Sequence, residues 1–312
     1  MLDAALFRPD SIDEETRRTN DFVEQMLARF PPVNERNPAD IRAERELGRG
    51  PFPPPVRLPE ASDVVIDGPA GALGLRIVRH EQPRAVYLHV HGGGWTLGAA
   101  DQQDLLLKLV SDACEATVVS VDYRLAPENP YPAGPDDCEA AALWVADHAR
   151  ELGHESLLIG GESAGAHLAV VTLLRLRDRH QRTPFRAANL VFGAYDLGMT
   201  PSVRRWGMRN LILNTPIVQW FADNFVSHDR RADPDVSPLY ADLRGLPPAL
   251  FTIGTLDPLL DDSLFMHGRW LAAGNAAELA VYPGGIHAFT LFPTALAQRA
   301  NLRQLEFLKQ HR

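Results

Sequence analysis

The sequence has little of what defines several large protein classes. Among 312 residues there are two cysteines, Cys114 and Cys138, and they form neither a metal-binding nor a disulfide pattern. No apolar run approaches the roughly 20 residues that a membrane-spanning helix needs. The start, MLDAALFRPDSIDEETRR, is acidic where a signal peptide has a basic segment followed by an apolar one. We therefore expect a cytoplasmic protein without a membrane span.

Basic residues are also in deficit. The chain carries 31 Lys and Arg against 40 Asp and Glu, a formal net charge of −9. Because nucleic acids and anionic membrane surfaces attract clustered basic residues, neither is predicted as a partner. The glycine run in HGGGW (91–95) is followed by no Walker lysine, and no G-x-G-x-x-G is present. We expect no cofactor and no metal.

From about residue 62, short apolar segments alternate with amphipathic ones. Helical patterns include DLLLKLVSDACE (104–115) and DDCEAAALWVADHARELG (136–153). The segments predicted as strands are VVI (64–66), LRIVR (75–79), AVYLHV (85–90), TVVSVDY (117–123), SLLIGG (156–161), NLVFGA (189–194), PALFTIG (248–254) and AELAVYPG (277–284). This alternation predicts an α/β protein with a mostly parallel central sheet that helices flank on both faces.

Two stretches interrupt this regularity. Residues 1–55 contain an amphipathic helical pattern and lead into the proline-rich PFPPPVRLP, which indicates an extended connector. Residues 198–236 contain the helical patterns VRRWGMRNLIL and PIVQWFADNFVS, which are rich in aromatic residues. We predict that 1–55 and 198–236 form a helical cap, and that 56–197 and 237–312 form the core. Alternatively, the second stretch adds core-packing helices.

The run GGESAGAHL (160–168) places Ser163 between a predicted strand and a predicted helix. A nucleophile elbow needs this geometry, with small residues two positions before and after the serine. Gly161 and Gly165 meet that requirement. The helix N-terminus would also direct free N–H groups and a positive dipole at the serine. The alternative is a glycine turn with an unreactive hydroxyl.

A serine nucleophile requires a base and an orienting carboxylate. In an open α/β sheet these should follow later strands. Asp257 follows PALFTIG and His287 follows AELAVYPG, on a short glycine-bearing loop. The order Ser, Asp, His is the one expected of an α/β-hydrolase.

Other carboxylates compete with Asp257. Asp196 follows the strand before, NLVFGA. Asp261 and Asp262 lie within LDPLLDDS, where Pro258 is expected to start a helix and the two acids to cap it or form salt bridges. We favour Asp257 because it lies closest to the end of its strand.

An acyl-transfer site also needs N–H donors for the oxyanion. The glycines of HGGGW follow strand AVYLHV, and the Ala164 N–H follows the serine directly. A simple turn is the alternative reading of the glycine run. His91 is expected to fix this loop by hydrogen bonding and not to act as a second base.

HGGGW, YRLAPENPYPA (123–133), GESAG, DPLLDD and GGIHAF occur in this order. Together they resemble the hormone-sensitive-lipase-like α/β-hydrolases, the bacterial family IV esterases. The resemblance covers the chain from about residue 62. It implies Ser163 as nucleophile, His287 as base and Asp257 as its orienting group, and a cap from the N-terminus and an insertion. It also implies oxyanion donors at Gly93, Gly94 and Ala164, with Gly92 as the alternative to Gly94.

The resemblance further places Glu162 at a variable position, since the usual elbow is GDSAG or GTSAG. The predicted function is a serine carboxylesterase that hydrolyses short- to medium-chain carboxylic esters through an acyl-enzyme. The substrate-binding candidates, each of which could equally be core, are Trp95, Tyr195, Trp206, Leu256 and Phe289.

Three other functions fit parts of the pattern. An aryl formamidase or related amide hydrolase would share an HGG-x-W loop. A non-catalytic small-molecule receptor would have lost the histidine that this chain keeps. A peptidase would need a further recognition domain. The expected partner is a small ester, and the edge strand AELAVYPG could pair two subunits in a homodimer.

Overall fold

The computed structural model describes residues 2–312, which form an eight-stranded sheet and a set of helices around it. The strands are β1 Ala61–Gly68, β2 Gly71–Val78, β3 Ala85–Val90, β4 Ala116–Asp122, β5 Leu157–Glu162, β6 Phe185–Val191, β7 Ala249–Leu256 and β8 Ala277–Ile286. The helices are α1 Glu14–Leu27, α2 Pro38–Glu46, α3 Asp104–Cys114, α4 Ala133–Asp147, α5 Ala164–His180, α6 Pro201–Trp206, α7 Thr215–Phe225, α8 Leu260–Ala272 and α9 Ala295–His311.

The strands lie in the order β1-β2-β4-β3-β5-β6-β7-β8. The pairs β1–β2 and β2–β4 are antiparallel, and every later neighbour pair is parallel. The prediction of a mostly parallel sheet is confirmed. Because β3 to β8 all run in one direction, their carboxyl ends meet at a single edge, where ligands bind in open α/β sheets.

Helices cover both faces of the sheet. The main core cluster joins one face to α4, α5 and α8, and a second cluster joins the other face to α3 and α9. All six residues of β3 are buried, as expected for an interior strand of a parallel sheet. The central strands are therefore held rigidly from both sides, which suits them to carry a site at their ends.

Some predicted boundaries are wrong. β6 begins at Phe185 and ends at Val191, whereas the apolar run predicted 189–194. The exposed Arg186 interrupts the apolar run, so the sequence pattern does not show where β6 begins. Its first residue is determined by pairing with β5. Residue Phe192 leaves the strand with φ 39°. β8 continues through the predicted glycine loop to Ile286, paired with β7 across a register shift.

Two predicted helices are shorter than their patterns. The pattern VRRWGMRNLIL is helical only to Trp206, because Gly207 adopts φ 80° and ends α6. The next helix starts after Asn214, whose side chain accepts the Ile217 N–H at 2.9 Å. Helix α4 starts at Ala133 and stops at Asp147, before the predicted end at residue 153. Gly153, at φ 110°, belongs to the turn that follows.

Helices α1 and α2 form an N-terminal helical cap. Helix α1 contacts β8, and the 3-10 turn Val33–Glu35 contacts α7. Arg42 of α2 donates to the carbonyl oxygen of Thr96 at 2.8 Å. The cap therefore lies over the sheet edge at which the central strands end. Within residues 2–312 no helix combines the length and apolarity needed to cross a bilayer.

Candidate active site

Ser163 occupies a sharp turn between β5 and α5. The strand ends at Glu162 and the helix begins at Ala164, so one residue makes the whole connection. Its backbone has φ 56° and ψ −119°, and such a conformation costs about 1–3 kcal/mol. The Ser163 N–H donates to Val191 O of β6 at 2.8 Å. This is the geometry of a nucleophile elbow.

The glycines around the serine permit a close approach of strand and helix. A Cβ at either Gly161 or Gly165 would overlap the carbonyl oxygen of Val90 on β3. Any larger residue would push α5 off the sheet and displace the turn. The tight packing of α5 is thus a direct consequence of the G-x-S-x-G spacing.

Three side chains from distant parts of the sequence meet at this edge. His287 Nε2 lies 2.9 Å from Ser163 Oγ, and His287 Nδ1 lies 2.8 Å from Asp257 Oδ2. An ionised carboxylate only accepts hydrogen bonds, so Nδ1 carries the proton and Nε2 accepts from the serine hydroxyl. Each of the three residues directly follows the last residue of its strand, β5, β7 or β8.

The carboxylate of Asp257 is deeply buried. Asp257 is 1% exposed, and its second oxygen accepts the Leu259 N–H at 2.9 Å. Because both oxygens have donors, the carboxylate is fixed in place and orients the imidazole ring. Phe192 packs its ring edge-on against the His287 ring, with centroids 4.9 Å apart. The histidine is therefore held by a hydrogen bond and by packing.

The competing carboxylates bond elsewhere. Asp196 accepts from the Gly198 N–H and from the Tyr240 hydroxyl. Asp261 accepts the Ser202 N–H at 2.8 Å, and Asp262 accepts from Tyr195 N, Asp196 N and Thr200 Oγ1. The expectation that Asp261 and Asp262 cap their own helix or form salt bridges is wrong. Helix α8 starts at Leu260, two residues after Pro258. Asp261 instead binds the first turn of α6, and Asp262 anchors the loop between β6 and α6.

The glycine loop after β3 lies beside the elbow. Gly93 and Gly94 have φ 115° and 60°, conformations that strain residues with side chains. A Cβ at Gly92 would lie 3.5 Å from Ser163 Cβ, so this loop touches the serine. Among residues 2–312, no acceptor is found for the N–H groups of Gly93, Gly94 and Ala164. These amides are thus free to bind a developing oxyanion.

His91 stays behind this loop. Its Nδ1 bonds to Gly92 O at 2.8 Å, and its ring stacks on Tyr123 with centroids 4.2 Å apart. Burial lowers the pKa of His91 to about 3, so the ring is neutral near pH 7. These contacts fit the expected role in fixing the loop.

The five substrate-binding candidates lie in two different hydrophobic clusters. Tyr195 is fully buried against Phe251, so the prediction that it lines a pocket is wrong, because no part of its ring is accessible. Trp95 is also in the main core, where it stacks on Phe225 and donates Nε1–H to His167 at 3.0 Å. Trp95 therefore anchors the end of the glycine loop in the core.

The other three candidates belong to the cluster that contains Phe192. Phe289 is buried between Phe192 and Tyr282. Trp206 and Leu256 are half-buried at the margin of the same cluster. Leu256 is the last residue of β7 and directly precedes Asp257.

Some residues that contact the site are not predicted from the sequence. Phe221 of α7 lies on Gly94, at a position where a Cβ would overlap its ring. Asn20 of α1 donates to Gly284 O at 2.8 Å, three residues before His287. Nothing in the local pattern marks Asn20, because its partner is 264 positions away. Phe221 belongs to the aromatic-rich stretch 198–236, but the pattern does not indicate which of its rings reaches the glycine loop.

Within residues 2–312, no three or more His, Cys, Asp or Glu side chains are grouped so as to hold a metal ion. The polar groups at the site are the Ser163 hydroxyl, the His287 imidazole, the Asp257 carboxylate and the backbone amides of the glycine loop. An elbow serine with a histidine and a buried carboxylate, in this chain order, is the arrangement of the serine hydrolases.

Comparison with known proteins identifies the relatives of the chain. The family described as alpha/beta hydrolase fold matches residues 87–291. Carboxylesterase NlhH of Mycobacterium tuberculosis is 32% identical over 331 aligned positions, covering 99% of each chain. An acetyl esterase of Salmonella schwarzengrund is 33% identical over 214 residues, 66% of this chain and 65% of the relative. The chain belongs to the hormone-sensitive-lipase-like carboxylic ester hydrolases of the α/β-hydrolase fold, which confirms the resemblance.

Solved structures agree with this assignment. A thermostable esterase from Pseudomonas putida superposes with a TM-score of 0.86 at 27% identity, over 97% of this chain and 98% of that one. A Pyrobaculum calidifontis esterase gives a TM-score of 0.83 at 28% identity, over 93% and 97%. The match extends into the cap, since coverage reaches nearly the whole chain.

Proposed function

We propose that this esterase hydrolyses short- to medium-chain carboxylic esters, with Ser163 as nucleophile, His287 as general base and Asp257 as its orienting group. The observation that carries the proposal is the continuous row of hydrogen bonds, 2.9 Å and 2.8 Å long, that joins the three side chains. Such distances suit proton transfer between a hydroxyl and an imidazole.

In the first half-reaction, Ser163 Oγ attacks the ester carbonyl while its proton moves to His287 Nε2. The negative charge that develops on the carbonyl oxygen is stabilised by N–H groups of Gly93, Gly94 and Ala164. Their free amides and their place beside the serine support this role, and helix α5 adds its positive end at Ala164. Asp257 stabilises the imidazolium that forms.

The imidazolium then protonates the leaving alcohol, which departs and leaves an ester between Ser163 and the acyl group. In the second half-reaction, water attacks this ester and gives its proton to His287. The tetrahedral intermediate collapses, the proton returns to Ser163 Oγ and the carboxylic acid is released. The two halves use the same base and the same oxyanion donors.

The proposal of short to medium acyl chains rests on the cap. Phe221 lies directly on the oxyanion loop at Gly94. A ring at this place limits the length of chain that extends from the reacting carbonyl. The name of the Salmonella relative, acetyl esterase, points in the same direction.

We also propose that residues 1–55 and 198–236 together form the cap over the core of 56–197 and 237–312. Contacts between Val33–Glu35 and α7 support the pairing of the two segments. In this arrangement Trp206, Leu256 and Phe289 remain candidates for the pocket wall, as does Phe221. Strand β8 lies at the edge of the sheet and could pair with β8 of a second subunit, so we also propose a homodimer. Light scattering tests this proposal.

The test is a hydrolysis profile over p-nitrophenyl esters from acetate to palmitate, for the wild type and Ser163→Ala. We expect a maximum between C2 and C8, and a loss of turnover of about 10³-fold or more in the variant. A maximum beyond C12 would contradict the acyl-length proposal. Retention of turnover by Ser163→Ala would contradict the assignment of the nucleophile. A formanilide hydrolysed faster than any ester would favour an amide hydrolase.

A further inference from the structure

Glu162, the last residue of β5 and the direct neighbour of the elbow serine, extends to the face of the sheet opposite α5. It lines a small cavity between the sheet and helices α3 and α9. The usual acidic or threonine residue of the family occupies the same position, but the mechanism proposed above gives Glu162 no part. Its carboxylate is nevertheless largely buried, with 16% of the side chain exposed.

A buried histidine holds this carboxylate. His89 of β3 places Nε2 at 3.0 Å and 3.3 Å from the two oxygens of Glu162, and its Nδ1 at 2.9 Å from Ser120 Oγ of β4. A carboxylate only accepts, so Nε2 carries the proton and Nδ1 accepts from the serine hydroxyl. Glu162, His89 and Ser120 form a polar row across three adjacent strands, with His89 1% exposed.

The row ends beside the strained backbone of Ser163. Ser163 keeps φ 56° only if its neighbours fix it, because this conformation is intrinsically unfavourable. On one side, the Ser163 N–H is bound to Val191 O. On the other side, the Glu162 side chain is bound to His89. Ser163 O also accepts the His167 N–H at 3.2 Å, so the elbow is held by two backbone hydrogen bonds and, through Glu162, by the side-chain row.

The same residue also supports the oxyanion loop. A Cβ at Gly92 would lie 2.8 Å from Glu162 O, so the loop rests on the Glu162 backbone. A shift of Glu162 would displace the nucleophile and the loop beside it together. Misplacement of reacting groups by about 1 Å costs about 100-fold in rate.

We propose that Glu162 is a positioning residue, and that the Glu162–His89–Ser120 row sets the orientation of Ser163 and of the adjoining glycine loop from the far face of the sheet. The role depends on hydrogen bonding and shape, not on the negative charge. This inference rests on the proposed function of Ser163 as nucleophile.

The test compares Glu162→Gln with Glu162→Leu. The glutamine keeps an oxygen that accepts from His89 Nε2–H, so its kcat should stay within about three-fold of the wild type. The leucine leaves His89 without its partner, and kcat should fall about 10- to 100-fold while KM changes less than about two-fold. The rate at which a small fluorophosphonate labels Ser163 should fall by the same factor as kcat.

Asn189→Leu is the matched control. Asn189 lines the same cavity and is even more deeply buried than Glu162, but its side chain bonds to Gln304 of α9 and not to His89. We expect this variant to lower the melting temperature as much as Glu162→Leu does, with kcat and the labelling rate unchanged. Ser120→Ala, which removes only the far end of the row, should lower kcat about three-fold and provides the test if the leucine variant does not fold.

The outcomes separate the two proposals. Wild-type kcat in Glu162→Leu, or an equal loss in Glu162→Gln and Glu162→Leu, would overturn the positioning role. A loss confined to KM, or an equal loss of kcat in Asn189→Leu, would overturn it as well. If the labelled residue is not Ser163, the proposed function fails, and the comparison of the two Glu162 variants no longer concerns the nucleophile.

Discussion

The sheet edge and the cap hold the same site by different means. At the edge, Ser163, Asp257 and His287 sit on the ends of buried strands, and their hydrogen bonds are shielded from water. In the proposed cap, several contacts are half-exposed ion pairs, such as Arg209 with Glu24 and, between cap and core, Arg42 with Glu128. Shielded hydrogen bonds fix geometry, whereas exposed ion pairs contribute about 0–1 kcal/mol and are screened by salt. We infer that the edge sets the chemistry and that the cap is free to vary and sets selectivity.

The comparison predicts the largest effects at the edge. Asp257→Asn should lower kcat by about 10³- to 10⁴-fold. The two oxygens of Asp257 accept from His287 Nδ1–H and from the Leu259 N–H, whereas an amide has one oxygen and cannot accept both. His287 would then lose the tautomer with its proton on Nδ1. Steady-state hydrolysis of p-nitrophenyl butyrate measures this. Asp196→Asn, which changes a carboxylate in the loop after β6, is the control, and its kcat should stay near that of the wild type. Equal losses in both variants would break the assignment of Asp257.

A substitution in the cap should change selectivity more than turnover. Phe221→Ala removes the ring that lies on Gly94, and should raise kcat/KM for octanoate relative to butyrate about 10-fold. Trp220→Ala, in the adjacent aromatic residue of α7, is the control, with no such change expected. If Phe221→Ala instead lowers kcat for all chain lengths as Asp257→Asn does, the division between edge and cap does not hold.

The loop that leads from the edge into the cap should respond to pH. Burial raises the pKa of Asp262 to about 7, although three donors oppose the shift. In the folded protein this carboxyl is protonated at pH values where it is ionised in the unfolded chain. Its contribution to the free energy of unfolding is therefore complete below about pH 4 and is lost as the pH rises through 7.

Asp262→Asn mimics the neutral acid and removes this dependence. Its oxygen can accept the two backbone N–H groups that Asp262 Oδ1 binds, and its amide can donate to Thr200. Between pH 5 and 8 the melting temperature of the wild type should fall by several degrees relative to the variant. Asp261→Asn, one residue away and half-buried, should show no such difference from the wild type. Parallel curves for the wild type and Asp262→Asn would contradict the burial argument.

The smallest effect is expected from an ion pair inside the cap. Arg209 binds Glu24 through Nε and Nη2, at 2.9 Å for the closer contact, and both side chains are well exposed. Arg209→Ala should change the free energy of unfolding by less than about 1 kcal/mol, with kcat unchanged. A double-mutant cycle with Glu24→Ala measures the pair itself. A coupling energy of several kcal/mol would show that the cap is held as firmly as the edge.

Much of the fold and site was predictable from local pattern. The eight apolar runs, the G-x-S-x-G spacing and the order of serine, aspartate and histidine gave the sheet and the three central residues. Where prediction was wrong, long-range contacts decide the outcome. Tyr195 follows a strand as a pocket residue would, yet it is buried against Phe251 because the Asp262 carboxylate binds the backbone there.

The amino-acid sequence alone determined that strands end shortly before a serine, an aspartate and a histidine, because apolar periodicity and glycine spacing are encoded within a few residues. Only the tertiary structure decided which neighbours support these ends. Phe221 meets Gly94, Asn20 meets Gly284 and His89 meets Glu162 through packing between segments that are distant along the chain. Such contacts depend on strand register and on how the cap docks, and no local pattern encodes either of them.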